Sequence, residues 1–416
     1  TIDSDQHEFY GLVNAGLFRS RMGATAMGPI DYVTKPNDLP PGLSPSGAGL
    51  VYDGKRHEIV AWGGGKTLWV YTPATGRWGV LPTAEGAAPI STHNAADPRV
   101  FSKWIYIPGV DAFAGYNEVA EGVWLYRPSD KPPITVPKAL AKPQPGKRVV
   151  CSLEHLDGSC NYFRLCEALH DAKDGDTIIL RRGTYNEGCL VTANHLTIKG
   201  EPGAILTGVA YGDKGNLVID GNDTVIEGLD CSRGIADYNG SCVRIEGKNV
   251  TLDHMHIHNE QMGVLSGGPN GKIVIENSLI ENIGAPSSDL SHCIYISENK
   301  QGVADELIVR NSTIRTSRFE GHLIKSRALK TVIENDVLSS LDGQNSREID
   351  IPQGGTAIIK NNVIEKGPAS ENWDMIGIAL EPQFGIRKDN DTLVEDNWLI
   401  FDRPHGLLVS NRSPGP

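Results

Sequence analysis

From residue 226 to residue 399 one short pattern keeps returning: an apolar residue, any residue, a turn-forming residue, two more residues and a second apolar one. It reads IENSLI, VRNSTI, IENDVL, IKNNVI and VEDNWL, with looser copies IEGLDC and LDHMHI upstream. The turn position holds, in order, Gly228, His254, Asn277, Asn311, Asn335, Asn361 and Asp396, which lie 26, 23, 34, 24, 26 and 35 residues apart. A unit of this length cannot bury an apolar face alone, so successive units must stack into a coil. The residue types at the turn tolerate left-handed backbone, which predicts one corner per coil with side-chain amides stacked along it.

A second strand follows in each coil: SCVRIEG from Ser241, MGVLSGG from Met262, HCIYISE from His292, HLIKSRA from His322, EIDIPQG from Glu348, IGIALEP from Ile376 and HGLLVSN from His405. Residues two apart on a strand share a face. Val243, Ile245, Ile294, Ile296, Ile324, Ile349, Ile351, Ile378 and Leu380 therefore line the inside, and Arg244, Glu246, Tyr295, Ser297, Lys325, Arg327, Asp350 and Glu381 turn outward. With coils about 4.8 Å apart, Tyr295, Lys325 and Asp350 become successive rungs of one ladder. The chain is thus predicted to be all-β, with residues 148–416 forming a right-handed parallel β-helix.

Residues 49–127 carry a different pattern, in two similar segments: GLVYDGKRHEIVAWGGG with LWVYTPATGRW, then FSKWIYIPGVDAFAGYN with VWLYRP. An alternating strand, a Gly-rich turn and a strand ending in tyrosine resembles a kelch-type propeller blade. Two blades cannot close a ring that needs roughly 4 to 8, so residues 1–127 are expected to form a small antiparallel module. Residues 128–147, with six prolines, read as a stiff linker. Phe163 to Ala172 has helical apolar spacing closed by Gly175. That helix, ahead of GDTIIL and GTY, resembles the N-terminal cap and first coil of pectate-lyase-like β-helices, where it would cover the open edge of the first rung.

Composition narrows the partners. A net charge of −12 argues against nucleic acid but leaves room for an anionic polysaccharide on a local basic strip. No apolar run approaches the roughly 20 residues of a membrane-spanning helix. Of seven cysteines, Cys151, Cys160, Cys166 and Cys189 cluster at the start of the repeats, where disulfides would brace the coil's end and point to a secreted or periplasmic protein. The odd count leaves at least one unpaired within the chain. No cysteine or histidine spacing suits structural zinc, and His256 and His258 lack an obvious third ligand, so they read as a corner feature.

The chemistry gathers on the outward strip. A phenol, an ammonium, a guanidinium and two carboxylates over four coils exceed what an ordinary solvated face shows. His292 and His322 share a column beside Lys325, and loops 281–291 and 367–375 are expected to wall the strip, with Trp373 and Phe384 available to stack on sugar rings. The stretch EGHLIKSR, Glu320 to Arg327, resembles the lysine-serine segment of the alginate lyase and chondroitinase B family. The resemblance implies β-elimination on a uronic acid polymer, with Lys325 abstracting the proton, an arginine assisting, and a calcium ion held partly by Glu320. Arg318 stands at that family's second acidic position, and its arginine position falls near Pro352, with Arg347 displaced upstream. The residues themselves leave the base open between Lys325 and Tyr295, with His292 and His322 as another route and Arg327 and Asp350 in the same catalytic group, and with Arg244, Arg347, Glu381 and Trp373 binding substrate. The other readings are a glycoside hydrolase using Asp350 and Glu381, a C5-epimerase sharing the proton abstraction, and a non-catalytic glycan-binding β-helix.

Overall fold

The computed structural model describes residues 1–23, 26–40, 43, 45, 47–63, 67–81, 104–116, 123–128, 134–135, 140–152, 155, 158–208, 210–234, 236–237, 239–285 and 291–414. Parts of the second blade-like segment, of the 128–147 stretch and of loop 281–291 lie outside these residues.

Two compact units divide between Ala141 and Lys142. Among its described residues the first unit holds three antiparallel sheets. One is the meander Gly49–Asp53, Glu58–Trp62, Leu68–Thr72, Arg77–Val80, and another joins Trp104–Ile107, Ala112–Tyr116 and Val123–Tyr126. Their apolar faces meet in a core of Val60, Trp62, Leu68, Val70, Trp104, Phe113 and Tyr126. Ile134–Thr135 pairs antiparallel with Arg77–Val80, so the proline-rich stretch contributes an edge strand as well as a connection.

The second unit is a parallel β-helix. Each full coil contributes a strand to three parallel sheets. The first sheet runs from Lys147–Val150 to Asp391–Glu395, the second from Gly183–Tyr185 to Trp398–Phe401 and the third from Cys189–Val191 to Leu407–Asn411. The sequence pattern distinguishes two strands per coil, but the recurrent motif itself contains a turn between two: in IENSLI, Lys272–Glu276 ends before the asparagine and Leu279–Ile283 begins after it.

The predicted corner is present at every position. Gly228, His254, Asn277, Asn311, Asn335, Asn361 and Asp396 all have left-handed backbone, with φ between 51° and 70°. The stacked side chains, however, belong to the next residue along. Met255 N–H donates to Ser278 Oγ, Ser278 N–H to Ser312 Oγ, Ser312 N–H to Asp336 Oδ1, Asp336 N–H to Asn362 Oδ1 and Asn362 N–H to Asn397 Oδ1, at 2.7–3.1 Å. The predicted asparagines face solvent, because a left-handed residue swings its own side chain out and its neighbour's in.

Inside, Val243, Ile245, Ile294, Ile296, Ile324, Ile349, Ile351 and Ile378 form one continuous core with the other sheets. Leu380 does not join it. The strand ends at Ile378, Ala379 turns left-handed with φ 57°, and Leu380 is half-buried in the loop beyond. The capping helix is shorter than the pattern suggests, Leu165–His170. Leu165, Ala168 and Leu169 pack into the coil's core, and the Glu187 carboxylate accepts the N–H groups of Leu165 and Cys166. Disulfides Cys151–Cys160 and Cys166–Cys189 tie down this end, Cys231–Cys242 forms a third, and Cys293 is the buried free thiol.

Candidate active site on the third sheet

Strand register places the predicted ladder side by side. Tyr295 pairs with Lys325, Lys325 with Asp350, and Asp350 with Gly377. A second column runs along the strand starts, where side chains leave the interior at the corner. There the His292 and His322 rings stack at 5.2 Å, His322 pairs in register with Arg347, and Arg347 Nε donates to Asp374 at 2.8 Å.

The outward strip is less open than its parity suggests. Asp350 is fully buried, Arg327 is 4% exposed, and the Lys325 side chain retains only 12% of its surface. The expectation of a lysine freely facing water is corrected accordingly: Lys325 lies outside the coil's core but is roofed by a loop. That loop is residues 379–390, which carries Glu381, Phe384 and Arg387, rather than the 367–375 segment. Glu381 is therefore a loop residue reaching back over two coils, not part of a strand. Lys325 Nζ donates to Glu381 Oε1 at 2.6 Å, and Arg327 Nη2 donates to Glu381 Oε2. Arg327 Nε donates to the Tyr295 hydroxyl at 3.2 Å, and its guanidinium covers the Phe384 ring at 4.7 Å.

Beneath this roof, Asp350 has no well-aligned hydrogen bond on either carboxylate oxygen. Its nearest cations and donors are Lys325 Nζ and His322 Nε2, both at 3.4 Å, and Arg347 Nη1 at 3.6 Å. Burial drives its acidity down, raising its pKa against the opposing pull of Lys325 and Arg347. Glu381 moves the other way: burial works to raise it, but the hydrogen bonds and charges of Lys325 and Arg327 hold it below the usual range. Burial, with Lys325 and Arg327 nearby, pulls His292 down to about 3, and His322 is lowered likewise by burial and by its cationic neighbours. Both imidazoles are therefore neutral. Backbone N–H groups of His322 and Arg347 occupy the Nδ1 atoms of His292 and His322, which leaves the ring protons on Nε2. Glycine at 377 lets Arg347 lie across the ladder, since a Cβ there would sit 2.8 Å from Arg347 Cδ and Nε.

Three predicted site residues stand apart. Arg244 is separated from Tyr295 by the Leu265 rung and pairs with Glu246 at 2.9 Å. Trp373 is 62% exposed with Arg403 over its ring. Glu320 is exposed and belongs to no group of three candidate metal ligands among the described residues. A calcium ion wants six to eight oxygen ligands, whereas Asp350 and Glu381 are each engaged with cations, so the described residues of the strip do not fit calcium.

Sequence reasoning missed Asp374, Glu298, Gln353 and Arg387. Gln353 Nε2 donates to Glu298 Oε2 at 3.0 Å, and Arg387 Nη2 donates to the Arg327 carbonyl at 2.6 Å. Glu298 and Asp374 sit at strand ends, where alternation gives way, and Gln353 and Arg387 are brought in by loops. Asp374 alone had a signal, as the rung after Arg347 in the corner column.

No family model and no curated protein matches this chain. Among solved structures it is similar to an arginine-to-alanine variant of the PL6 family alginate lyase AlyGC, with 14% identity, a TM-score of 0.41, and coverage of 66% of this chain and 42% of that one. The parent alginate lyase AlyGC aligns with 13% identity and a TM-score of 0.38, over 68% and 46% of the two chains. Pectate lyase Pel9A aligns with 15% identity and a TM-score of 0.37, over 60% and 78%. The chain thus spans less than half the length of these alginate lyases, and its own strand pairing is what establishes the parallel β-helix.

Proposed function

We propose that this protein cleaves a uronic acid-containing polysaccharide by β-elimination on the third-sheet strip, and that it works outside the cytoplasm, as its three disulfides suggest. The observation that carries this reading is the cluster of Lys325, Arg327 and Arg347 around two carboxylates and a phenol, on the outer side of adjacent coils. Taking the proton alpha to a carboxylate builds a dianion unless that carboxylate is neutralised. Arg347, whose side chain keeps 18% of its surface, supplies fixed positive charge for this, and Arg327, bonded to Glu381, orients the Tyr295 hydroxyl beside it. Lys325, once it has passed a proton to the Glu381 carboxylate that it bonds, takes the proton from C5, the C–H electrons form the C4–C5 double bond, and the C4–O bond breaks. Tyr295, one rung away and hydrogen-bonded to Arg327, protonates the leaving oxygen. His292 and His322 hold the corner in place rather than exchange protons, since their Nδ1 atoms are occupied.

One observation favours a second reading. Asp350 and Glu381 flank the same ammonium and have acidities pushed in opposite directions, as the acid and nucleophile or base of a glycoside hydrolase do. Against it, Asp350 is buried beneath Lys325, where a glycosidic oxygen cannot reach it. The two readings separate on product: elimination leaves an unsaturated sugar that absorbs ultraviolet light, and hydrolysis leaves new reducing ends without it. Lys325→Ala and Tyr295→Phe should each reduce turnover by about 100-fold or more if these groups move the protons. Full activity in Lys325→Ala would remove that residue as the base.

A further inference from the structure

We propose that Asp230, His256 and His258, on the outer face of the second sheet, bind one divalent transition-metal ion of the zinc or cobalt kind. The sequence pattern leaves the two histidines without a third ligand because Asp230 lies one coil earlier, 26 residues upstream of His256. Strand pairing brings it in. Asp230 is in register with His256, and Ser232 with His258, on adjacent parallel strands. Two residues apart on a strand, His256 and His258 share one face, and their rings stack at 4.4 Å.

The donor atoms already converge. Asp230 Oδ2 is 2.8 Å from His256 Nδ1, and Asp230 Oδ1 is 3.0 Å from His258 Nε2. One ligand atom from each residue lies within 4.8 Å of the others. Two imidazoles and a carboxylate suit zinc, cobalt, nickel or copper, whereas calcium and magnesium prefer all-oxygen sites. All three side chains are half-buried, so an ion can enter from solvent and keep an open coordination position for water.

A second, independent feature is the support behind His256. Its far nitrogen, Nε2, meets Glu281 Oε1 at 3.1 Å, and Arg315 Nε holds the other Glu281 oxygen at 2.8 Å. A carboxylate that orients the distal nitrogen of an imidazole is the usual outer arrangement of a metal-ligating histidine. A bound ion would clamp two successive coils through their side chains, adding to the backbone hydrogen bonds that already join them. The cluster stands on the second sheet and the proposed active site on the third, so variants here leave that strip's residues untouched.

Cobalt(II) added to the untagged full-length protein, with both visible absorption and heat of binding recorded, tests this. One equivalent should bind with the intense d–d bands of a low-coordinate N/O site and be displaced by zinc. Binding should be lost in His258→Gln and in the near-isosteric Asp230→Asn, and weakened by about 10-fold or more in Glu281→Gln, with circular dichroism unchanged. The proposal is overturned by wild-type protein that shows no saturable cobalt binding, or by folded His258→Gln and Asp230→Asn variants that bind as the wild type does.

Discussion

At Asp350 a carboxylate has been taken from water and set among Lys325, His322 and Arg347 without a well-aligned hydrogen bond to any of them. Leaving one member of a buried charge pair alone costs about 3 kcal/mol or more, so Lys325→Ala should lose stability as well as turnover. The double variant Lys325→Ala/Asp350→Asn should regain most of that stability in denaturant unfolding and none of the turnover. Equal stability in the single variant and the wild type would show that the ammonium does not offset the buried carboxylate. Gly377→Ala acts on the same group from the other side. Its new Cβ displaces Arg347, so activity should fall while the melting temperature changes little. Lys325, Tyr295 and Asp350 were legible in the sequence because strict alternation fixes which residues share a face. The burial of Lys325 and Arg327 was not, because it comes from the loop carrying Glu381, 56 and 54 residues further along the chain.

Each coil's corner combines an exposed left-handed residue with an inward side chain that bonds to the next coil. The turn column was readable because few residue types accept that backbone. The inward ladder was harder to read, because serine, aspartate and asparagine all serve in it. Asn335, at φ 61°, should cost about 1 kcal/mol when replaced by alanine and much less when replaced by glycine, as read from denaturant midpoints. Next to it, burial raises the Asp336 pKa to about 8, and its Oδ2 has no partner. With an unfolded value near 4, this carboxyl stabilises the fold most when protonated. That contribution is lost as pH rises from about 4 to about 8, by up to about 1.4 kcal/mol per pH unit. Asp336→Asn, which copies the residue found at Asn362, should flatten the decline in melting temperature over that range. An unchanged pH dependence would rule out Asp336 as its source.

For the molecule as a whole, the repeat spacing made a coil legible, and with it the β-helix, while the third strand of each coil was hidden inside the motif. The cysteine cluster likewise pointed to a braced end. Cys166–Cys189 ties the capping helix to the first strand of the third sheet across 23 residues. Closing a loop of that size is worth about 3 kcal/mol by the chain-entropy estimate. A Cys166→Ser/Cys189→Ser variant should lower the unfolding midpoint accordingly, and an unchanged midpoint would mean that the cap holds without it. The long spacings in the repeat signalled inserted loops, but spacing alone could not say which of them folds over the strip. Residues 379–390 do so because Ala379 turns left-handed and sends Glu381 back to Lys325 and Arg327. The most direct test of the proposed chemistry is to incubate the protein with a panel of uronic acid polysaccharides while following ultraviolet absorbance and reducing ends together. At least one polymer should yield both signals in step, and Lys325→Ala should yield neither. Reducing ends appearing without new absorbance would contradict elimination and favour hydrolysis.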